Sequence, residues 1–397
     1  GVAPYHYWDF INNRALFAQA DVGGVANTPG WSFTRASAGY AETAAGVLVP
    51  FASGELRRTD KGVLIEGART NLCLQSQTLG TTWSVTRASI SADATAAPDG
   101  TLTADKVVED NTATNTHRVQ QSITVVTATV YTWSVYVKAA ERGFCTIQFT
   151  DGTNTGFAYF NLSTGAVGST SGVSATAAVQ LANGWWRLSL TMTTAGTAGL
   201  GQVFVANSST TNSYTGDAVS GIYVWGAQLE AAAFPSSYIP TTTASVARAA
   251  DVLTVSSPGV NYPLGLFAEA ERAVDTGSYE NILGVDDGTN SNRTLLFLDT
   301  SDQVAASART ATVEQLNIPV TGAVAIGAAT KSAIRMDTNN AIIARGGTLS
   351  ALDSTVTLPA NPTRVTFSPS QELFGYIRRA AIINFAPSNA QLTAMTI

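Results

Sequence analysis

The chain has 397 residues, of which 45% are hydrophobic and 13% are charged, and its formal net charge is −6. Because globular proteins usually carry about 25% charged residues, the polar surface of this chain must come mainly from Thr, Ser, Asn and Gln. Sequence-independent binding to phosphates needs concentrated basic charge, which the chain lacks, so we predict no nucleic-acid partner. No apolar run reaches the roughly 18 residues that span a bilayer, and we therefore predict no membrane insertion.

The cysteine content argues against a disulfide scaffold. Cys73 and Cys145 are the only two cysteines, too few to form a disulfide framework in a chain of this length. The two histidines are His6 and His117, so a Cys/His zinc site would need all four residues to converge. We expect no such convergence and predict no cofactor.

Strand patterns dominate the chain, and helical patterns are few. Period-two alternation of apolar and polar residues is typical of half-buried strands, and the clearest segments are 119–125, 131–137 and 186–192. Asp-Gly dipeptides favour tight hairpin turns because glycine tolerates a positive φ, and they occur at 99–100, 151–152 and 287–288. Residues 13–20 are a short helical candidate.

Two later segments mark boundaries. Residues 222–230 alternate as the last strand of a sandwich would, and Pro235 and Pro240 then stiffen the exit and withhold N–H donors. We therefore place a linker at this point, before a second strand-rich region. Near the end of the chain, the segment 388–391 has the Ser-x-x-Gln pattern of a capping box, which predicts a closing helix.

Three groups of segments in this chain are similar to a widespread group of tailed-phage virion proteins. The group includes tail fibres, receptor-binding spikes and the head spikes of gene transfer agents. The segments are 33–37 with 62–72; 213–217, 225–230, 237–241 and 248–251; and 375–379 with the closing helix. Their order and spacing resemble those of the group, and the middle set is the most specific.

The resemblance implies an all-β chain with two β-sandwich domains in series. Residues 1–70 would be a lead-in or attachment segment, 71–234 a jelly roll similar to carbohydrate-binding modules, 235–250 a Pro-containing linker, and 251–397 a concanavalin A-like, laminin-G-like sandwich. Sugar-binding jelly rolls often hold a structural calcium, for which no residue is assigned here.

The resemblance also implies a function. It predicts an adhesin, made in the bacterial cytoplasm and displayed on the virion surface, that binds host cell-surface or capsular polysaccharide and contacts other virion proteins. By analogy with fibres and spikes we expect a homo-oligomer, with a trimer favoured over a dimer. Two alternatives stay open, a capsule depolymerase and a purely structural decoration protein.

Exposed aromatic planes and a few hydrogen-bonding groups are what a protein needs to hold a sugar. Trp83 follows a polar loop, and Trp185 shares a strand side with polar residues whereas Trp186 shares the other side with leucines. Trp83 and Trp185 are therefore candidate sugar platforms, with packing as the alternative for each.

Three cationic or hydrogen-bonding side chains near strand ends are further candidates. His117, Arg118 and Arg142 could hold an acidic sugar, since arginine binds a carboxylate through two parallel hydrogen bonds. The alternative is ion pairing with Glu109 or Glu141.

Enzymatic chemistry is not expected. The segment 168–172 lacks the central serine of a nucleophile elbow, and two histidines distant in sequence do not suggest a Ser/His/Asp triad. Glycoside cleavage needs only two carboxylates, and Glu269 and Glu271 lie on one side of a predicted strand. The longer acidic motif of concanavalin A-like glucanases is missing, so this pair is the runner-up. The segment 286–290 is acidic but is predicted to be a turn and not a calcium loop.

Overall fold

The computed structural model describes residues 5–368 and 373–397, and the described chain is all-β with a short C-terminal helix. Two compact units are formed by interleaved segments. Unit 1 consists of 1–38, 51–68 and 249–397, and unit 2 consists of 39–50 and 69–248. The predicted fold class, two β-sandwiches with a closing helix, is confirmed.

Unit 1 contains two large antiparallel sheets. Among the described residues the first has ten strands, eight of them in the spatial order Ala20–Gly23, Arg14–Phe17, His6–Asp9, Gly375–Ile383, Leu264–Arg272, Ala329–Met336, Ile342–Arg345, Thr348–Leu349. The strand Gly62–Ile65 also pairs with Gly375–Ile383, and Arg58–Thr59 pairs with Gly62–Ile65. The second sheet, of seven described strands, has the order Val313–Ala323, Gln303–Thr310, Arg293–Leu298, Glu280–Asp286, Arg364–Phe367, Val252–Ser256, Trp31–Thr34. A 3₁₀ turn spans Val25–Asn27.

Unit 2 also pairs two sheets. Six strands of the first, of seven in the described chain, run in the order Ser84–Thr86, Asn115–Thr124, Ala198–Ala206, Phe144–Thr150, Thr155–Asn161, Val167–Ser171, and Ser213–Tyr214 joins Asn115–Thr124. The second sheet has the order Ala88–Ala96, Leu102–Glu109, Gly221–Glu230, Val130–Ala139, Trp185–Thr193, Ala175–Gln180. Two strand pairs lie outside these sheets, Gly39–Glu42 with Leu48–Phe51 and Arg69–Asn71 with Val246–Arg248. A 3₁₀ turn spans Ala182–Gly184.

The period-two patterns explain the core of each unit. Alternate residues of a strand point to opposite faces of the sheet, so the apolar half of each pattern meets the facing sheet. In unit 2, Val119, Ile147 and Val203 are fully or almost fully buried between the sheets, and in unit 1 Leu296 and Ile334 hold equivalent positions. The three strands predicted at 119–125, 131–137 and 186–192 are confirmed, and Gly100, Gly152 and Gly288 have positive φ.

The domain boundaries differ from the predicted succession. The predicted lead-in, 1–70, is not a separate piece, because His6–Asp9 pairs with Gly375–Ile383 and Trp31–Thr34 pairs with Val252–Ser256. Most of the predicted linker 235–250, namely 235–248, belongs to unit 2, where Tyr238 is fully buried, and 249–250 belong to unit 1. Hydrogen bonding between distant strands decides these assignments, and local patterns do not report it.

The single predicted helix near the C-terminus is confirmed and the N-terminal one is wrong. Ser388 caps the helix Asn389–Thr396 with the reciprocal Ser388–Gln391 hydrogen bonds of a capping box. Residues 14–17 instead form a strand that pairs with His6–Asp9. In the ranges that the structure describes, no helix has both the length and the apolar character needed to cross a bilayer.

Candidate functional site

Both candidate tryptophan platforms are core residues. Trp83 is 6% exposed, lies 6.2 Å from Trp133 between ring centroids, and donates its indole N–H to the Gln75 carbonyl. Trp185 has no exposed surface and donates to the carbonyl of Ala96. Neither ring offers a face to a ligand, so the platform role predicted for them does not fit the structure.

The physical reason for the burial of Trp185 is a second apolar cluster on the back of its sheet. The polar side of the strand Trp185–Thr193 was expected to face solvent. It is covered instead by the hairpin 39–50 and by Tyr238, so that Trp185 packs in one cluster with Trp225 and Leu48. The covering hairpin comes from more than a hundred residues upstream in the chain, and the local sequence around Trp185 gives no sign of it.

His117 and Arg142 are tied to groups of unit 2. The His117 ring is fully buried, lies 3.2 Å from an Asp110 carboxylate oxygen, and contacts the carbonyls of Arg87 and Tyr214.

Arg142 forms a two-point ion pair with Glu109 and lies 3.5 Å from Asp217. The ion pair with Glu109 is the alternative that the sequence left open for this arginine. Neither His117 nor Arg142 has the free, outward group that the binding role requires.

Arg118 lies in a different environment, on the outward face of the seven-stranded sheet of unit 2. Two neighbouring rows of side chains cross this face, since residues two apart in a strand share a side. The first row consists of Gln120, Gln202, Gln148 and Phe157, and the second of Arg118, Phe204, Thr146 and Tyr159. We call these eight residues the amide face.

The glutamines of the amide face are joined across three strands. Gln148 donates its amide N–H to the Gln202 carbonyl oxygen at 2.6 Å, and Gln202 donates to Gln120 at 2.8 Å. A primary amide has two N–H donors and one carbonyl acceptor. Each glutamine therefore keeps hydrogen-bonding capacity, and the row fixes the direction in which that capacity points.

Aromatic rings flank the amide row. Phe157 is half-buried and meets Tyr159 edge to face, with centroids 5.8 Å apart, while the Phe204 ring lies 5.5 Å beneath the Arg118 guanidinium. The Thr146 hydroxyl lies in the second row between two of these rings. It is buried and makes no hydrogen bond to any residue that the structure describes.

Arg118 supplies positive charge without an acidic neighbour. Its Nε donates to Gln120 at 2.9 Å and its Nη1 to the Thr116 hydroxyl at 2.8 Å, both neutral groups. Within residues 5–368 and 373–397, no carboxylate forms an ion pair with it. Burial, and then the charge of Arg87, lowers the pKa of Arg118, but a guanidinium stays protonated at neutral pH.

These groups together suit a polyol that carries negative charge. The half-buried Phe157 ring can pack against an apolar C–H face, amides exchange hydrogen bonds with hydroxyls, and a guanidinium pairs with a carboxylate. Sequence reasoning found Arg118 but missed the three glutamines and the rings. The alternation around Gln120 was visible in the sequence, but the register that joins it to Gln202 and Gln148 depends on strands that are distant along the chain.

The runner-up catalytic carboxylates belong to ion pairs in unit 1. Glu269 lies 3.3 Å from an Arg379 guanidinium nitrogen, and Glu271 pairs with Arg378 and lies 3.5 Å from the Lys61 ammonium. Both carboxylates are therefore engaged with cationic side chains.

The acidic segment 286–290 forms the predicted turn, where Asp287 accepts from the backbone and hydroxyl of Thr289. Cys73 and Cys145 are both buried free thiols. No group of three or more His, Cys, Asp or Glu side chains suited to a metal converges in the described chain.

Comparisons with known proteins add only distant likenesses. No family model matches the chain, and no curated protein matches it. Solved structures that it resembles include the CBM40 module of the Ruminococcus gnavus IT-sialidase, with 15% identity and a TM-score of 0.29 over 34% of this chain and 84% of that one. Laminin α1 domains LG4-5 from mouse have 11% identity and a TM-score of 0.23 over 68% and 85%.

The Trypanosoma rangeli sialidase has 9% identity and a TM-score of 0.29 over 73% of this chain and 59% of that one. Scores at this level carry no argument about ligand or activity.

Proposed function

We propose that the protein is a non-enzymatic adhesin that binds an acidic cell-surface or capsular polysaccharide through the amide face of unit 2. One observation carries the proposal: a fixed row of glutamine amides lies beside aromatic rings and an arginine that has no acidic partner among the described residues. Such a row has no need of a ligand to be stable, but it presents prealigned donors and acceptors, which lowers the ordering cost of binding.

The setting of this activity comes from the resemblance of the sequence segments to phage virion proteins. On that basis the chain is a spike or tail fibre on the virion surface, attached to other virion proteins and assembled as a homo-oligomer, with a trimer favoured. Weak binding to each sugar residue would become strong through several copies, because each additional site raises the effective concentration of the next.

The test is a panel of immobilised bacterial surface polysaccharides, acidic and neutral, probed with the full chain and with Arg118→Gln. We expect binding to acidic members and at least a tenfold loss in R118Q, since charged hydrogen bonds contribute about 1.5–3 kcal/mol each. Arg14→Gln is the matched control, because it removes the same charge from an exposed ion pair with Asp21 in unit 1.

Three outcomes would contradict the proposal. Equal binding by R118Q would show that the amide face is not the site. New reducing ends on a polysaccharide incubated with the chain would instead indicate a depolymerase, and loss of that cleavage in E269Q or E271Q would identify the pair. Normal adsorption by virions that lack the chain would favour a structural decoration protein.

A further inference from the structure

A hollow of about 250 Å³ opens on the outward face of the seven-stranded sheet of unit 1. Three rows of paired residues form its floor and walls. The rows are Asn281 with Phe297; Leu295, Ser307 and Asn317; and Arg293, Arg309 and Glu314. We call this group the arginine hollow.

The floor and rim of the arginine hollow are apolar and aromatic. Leu295 and Phe297 are each 4% exposed and pack together with Ala305, apart from the main core of the unit. Tyr279 at the rim is 43% exposed and meets Phe297 with ring centroids 5.7 Å apart. A half-exposed ring beside a buried ring provides the flat apolar surface against which a sugar ring packs.

Positive charge exceeds negative charge around the hollow. Three charged groups line the hollow, and of these Arg309 pairs with Glu314 at 2.7 Å; next to the hollow, Arg364 pairs with Asp286 at 2.8 Å. Arg293 lies beside both pairs in the sheet, and among the described residues its guanidinium makes one hydrogen bond, at 3.1 Å, to the Asn290 side chain. Two guanidiniums of the hollow therefore face one carboxylate, which is already engaged.

Arg293 also has an unused donor. Its Nε is buried and has no hydrogen-bond partner among the described residues. Burial, and then the charge of Arg309, lowers the pKa of Arg293. A buried donor without a partner is costly, whereas a carboxylate that accepts from two guanidinium nitrogens at once would satisfy it and balance the charge.

The hollow continues along the sheet. A second depression of about 260 Å³ shares Arg293 and Leu295 with it and extends to Thr254 and Thr366. Each depression is slightly below the roughly 300–1,000 Å³ of ligand pockets, a size suited to one sugar residue. Arg293 lies where the two depressions meet, so a carboxylate there could belong to a residue within a longer saccharide.

We propose that the arginine hollow is a second saccharide-binding site, one that takes a carboxylated sugar residue with Arg293 as its carboxylate-binding group. Tyr279 packs against the sugar ring, Phe297 supports the Tyr279 ring from below, and the polar wall contacts the sugar hydroxyls. This inference rests on the proposed function, because it gives the same chain two sites for one class of acidic polysaccharide.

The experiment uses the full ¹⁵N-labelled chain and observes the arginine Nε–H resonances by NMR during titration with glucuronate. Parallel titrations use glucose, the methyl ester of glucuronate, and inorganic phosphate. We expect two resonances to shift with glucuronate. One of them should be absent in Arg293→Gln and the other in Arg118→Gln. Neither resonance should shift with glucose or with the uncharged ester. Arg14→Gln should keep both shifts.

A second variant distinguishes a loss of binding from a loss of folding. Tyr279 is half-exposed, so Tyr279→Ala should melt at the wild-type temperature yet weaken glucuronate binding at the Arg293 resonance by about five- to tenfold.

The outcomes separate the two proposals. If glucuronate shifts only the Arg118-dependent resonance, the arginine hollow is not a site and the proposed function stands. If it shifts only the Arg293-dependent resonance, the amide face fails. A shift at Arg293 with phosphate but not with glucuronate overturns the saccharide assignment, and no shift at either arginine overturns both.

Discussion

At the residue scale, the arginines of this chain differ in whether a carboxylate pairs with the guanidinium. Arg142, Arg309 and Arg364 each have a carboxylate partner, and their charge serves the fold. Arg118 and Arg293 lie on outward sheet faces among amides and rings instead. A half-buried guanidinium without a counter-charge has lost hydration and gained no ion pair, so a carboxylate ligand gains more there than at an exposed pair.

At Glu280, burial disfavours a negative charge, whereas at the arginines it disfavours a positive charge. It is 1% exposed, and burial raises its pKa to about 7, although Thr276 donates a hydrogen bond to it. The folded state therefore holds the proton more tightly than the unfolded state, whose ordinary value is 4.5. Stability from this group is present below about pH 4.5 and is lost as the pH rises to about 7.

Glu280→Gln should remove that loss. We expect E280Q to be more stable than the wild type at pH 8 by about 1–2 kcal/mol, after allowance for solvent screening, and equal to it near pH 4.5. Urea unfolding at the two pH values measures the difference. A variant that is destabilised equally at both would show that the carboxylate is a structural acceptor and does not carry the pH dependence.

At the element scale, the closing helix is held by its cap and by the sheet beneath it. Leu392 is fully buried in a cluster with Ala333 and Ala344, which belong to two strands of the ten-stranded sheet. Ser388 and Gln391 satisfy each other's first-turn backbone N–H groups. The local pattern predicted this element because both the cap and the helix lie within ten residues of sequence.

Ser388→Ala should loosen the helix locally. Loss of an N-cap side chain costs about 1 kcal/mol, which corresponds to roughly fivefold faster hydrogen exchange at the Leu392 amide, whose bond to the Ser388 carbonyl forms the first turn. Thr393→Ala in the same helix lacks a capping role and should leave exchange at Leu392 unchanged or slower. Equal acceleration in both variants would contradict the capping account.

Elements formed by distant pairing were harder to predict. The strands at 119–125 and 131–137 follow from their own alternation, but the hairpin 39–50 that buries Trp185 does not. The same limit applies to the sites. Arg118 was a candidate because of its residue type, whereas the amide row depends on the register that joins the strand Asn115–Thr124 to two strands distant in sequence.

At the scale of the whole molecule, two units carry outward sheet faces of the same chemical kind. Each face combines aromatic rings, amides and one arginine without an acidic partner among the described residues. In the proposed oligomer, the two proposed sites of each chain would together bind a polysaccharide with repeated carboxylates far more tightly than either site binds a single sugar.

The most direct test of arginine–carboxylate pairing is to measure the affinity of the full chain for an acidic polysaccharide from the binding panel. The measurement is made before and after the uronic carboxyl groups are reduced to alcohols. Reduction keeps the sugar rings and removes the charge. Loss of a charged hydrogen bond at each site predicts about a 100-fold weaker affinity for the reduced polymer, measured by biolayer interferometry. Equal affinity for the two polymers would contradict the claim that arginine–carboxylate pairing holds the ligand.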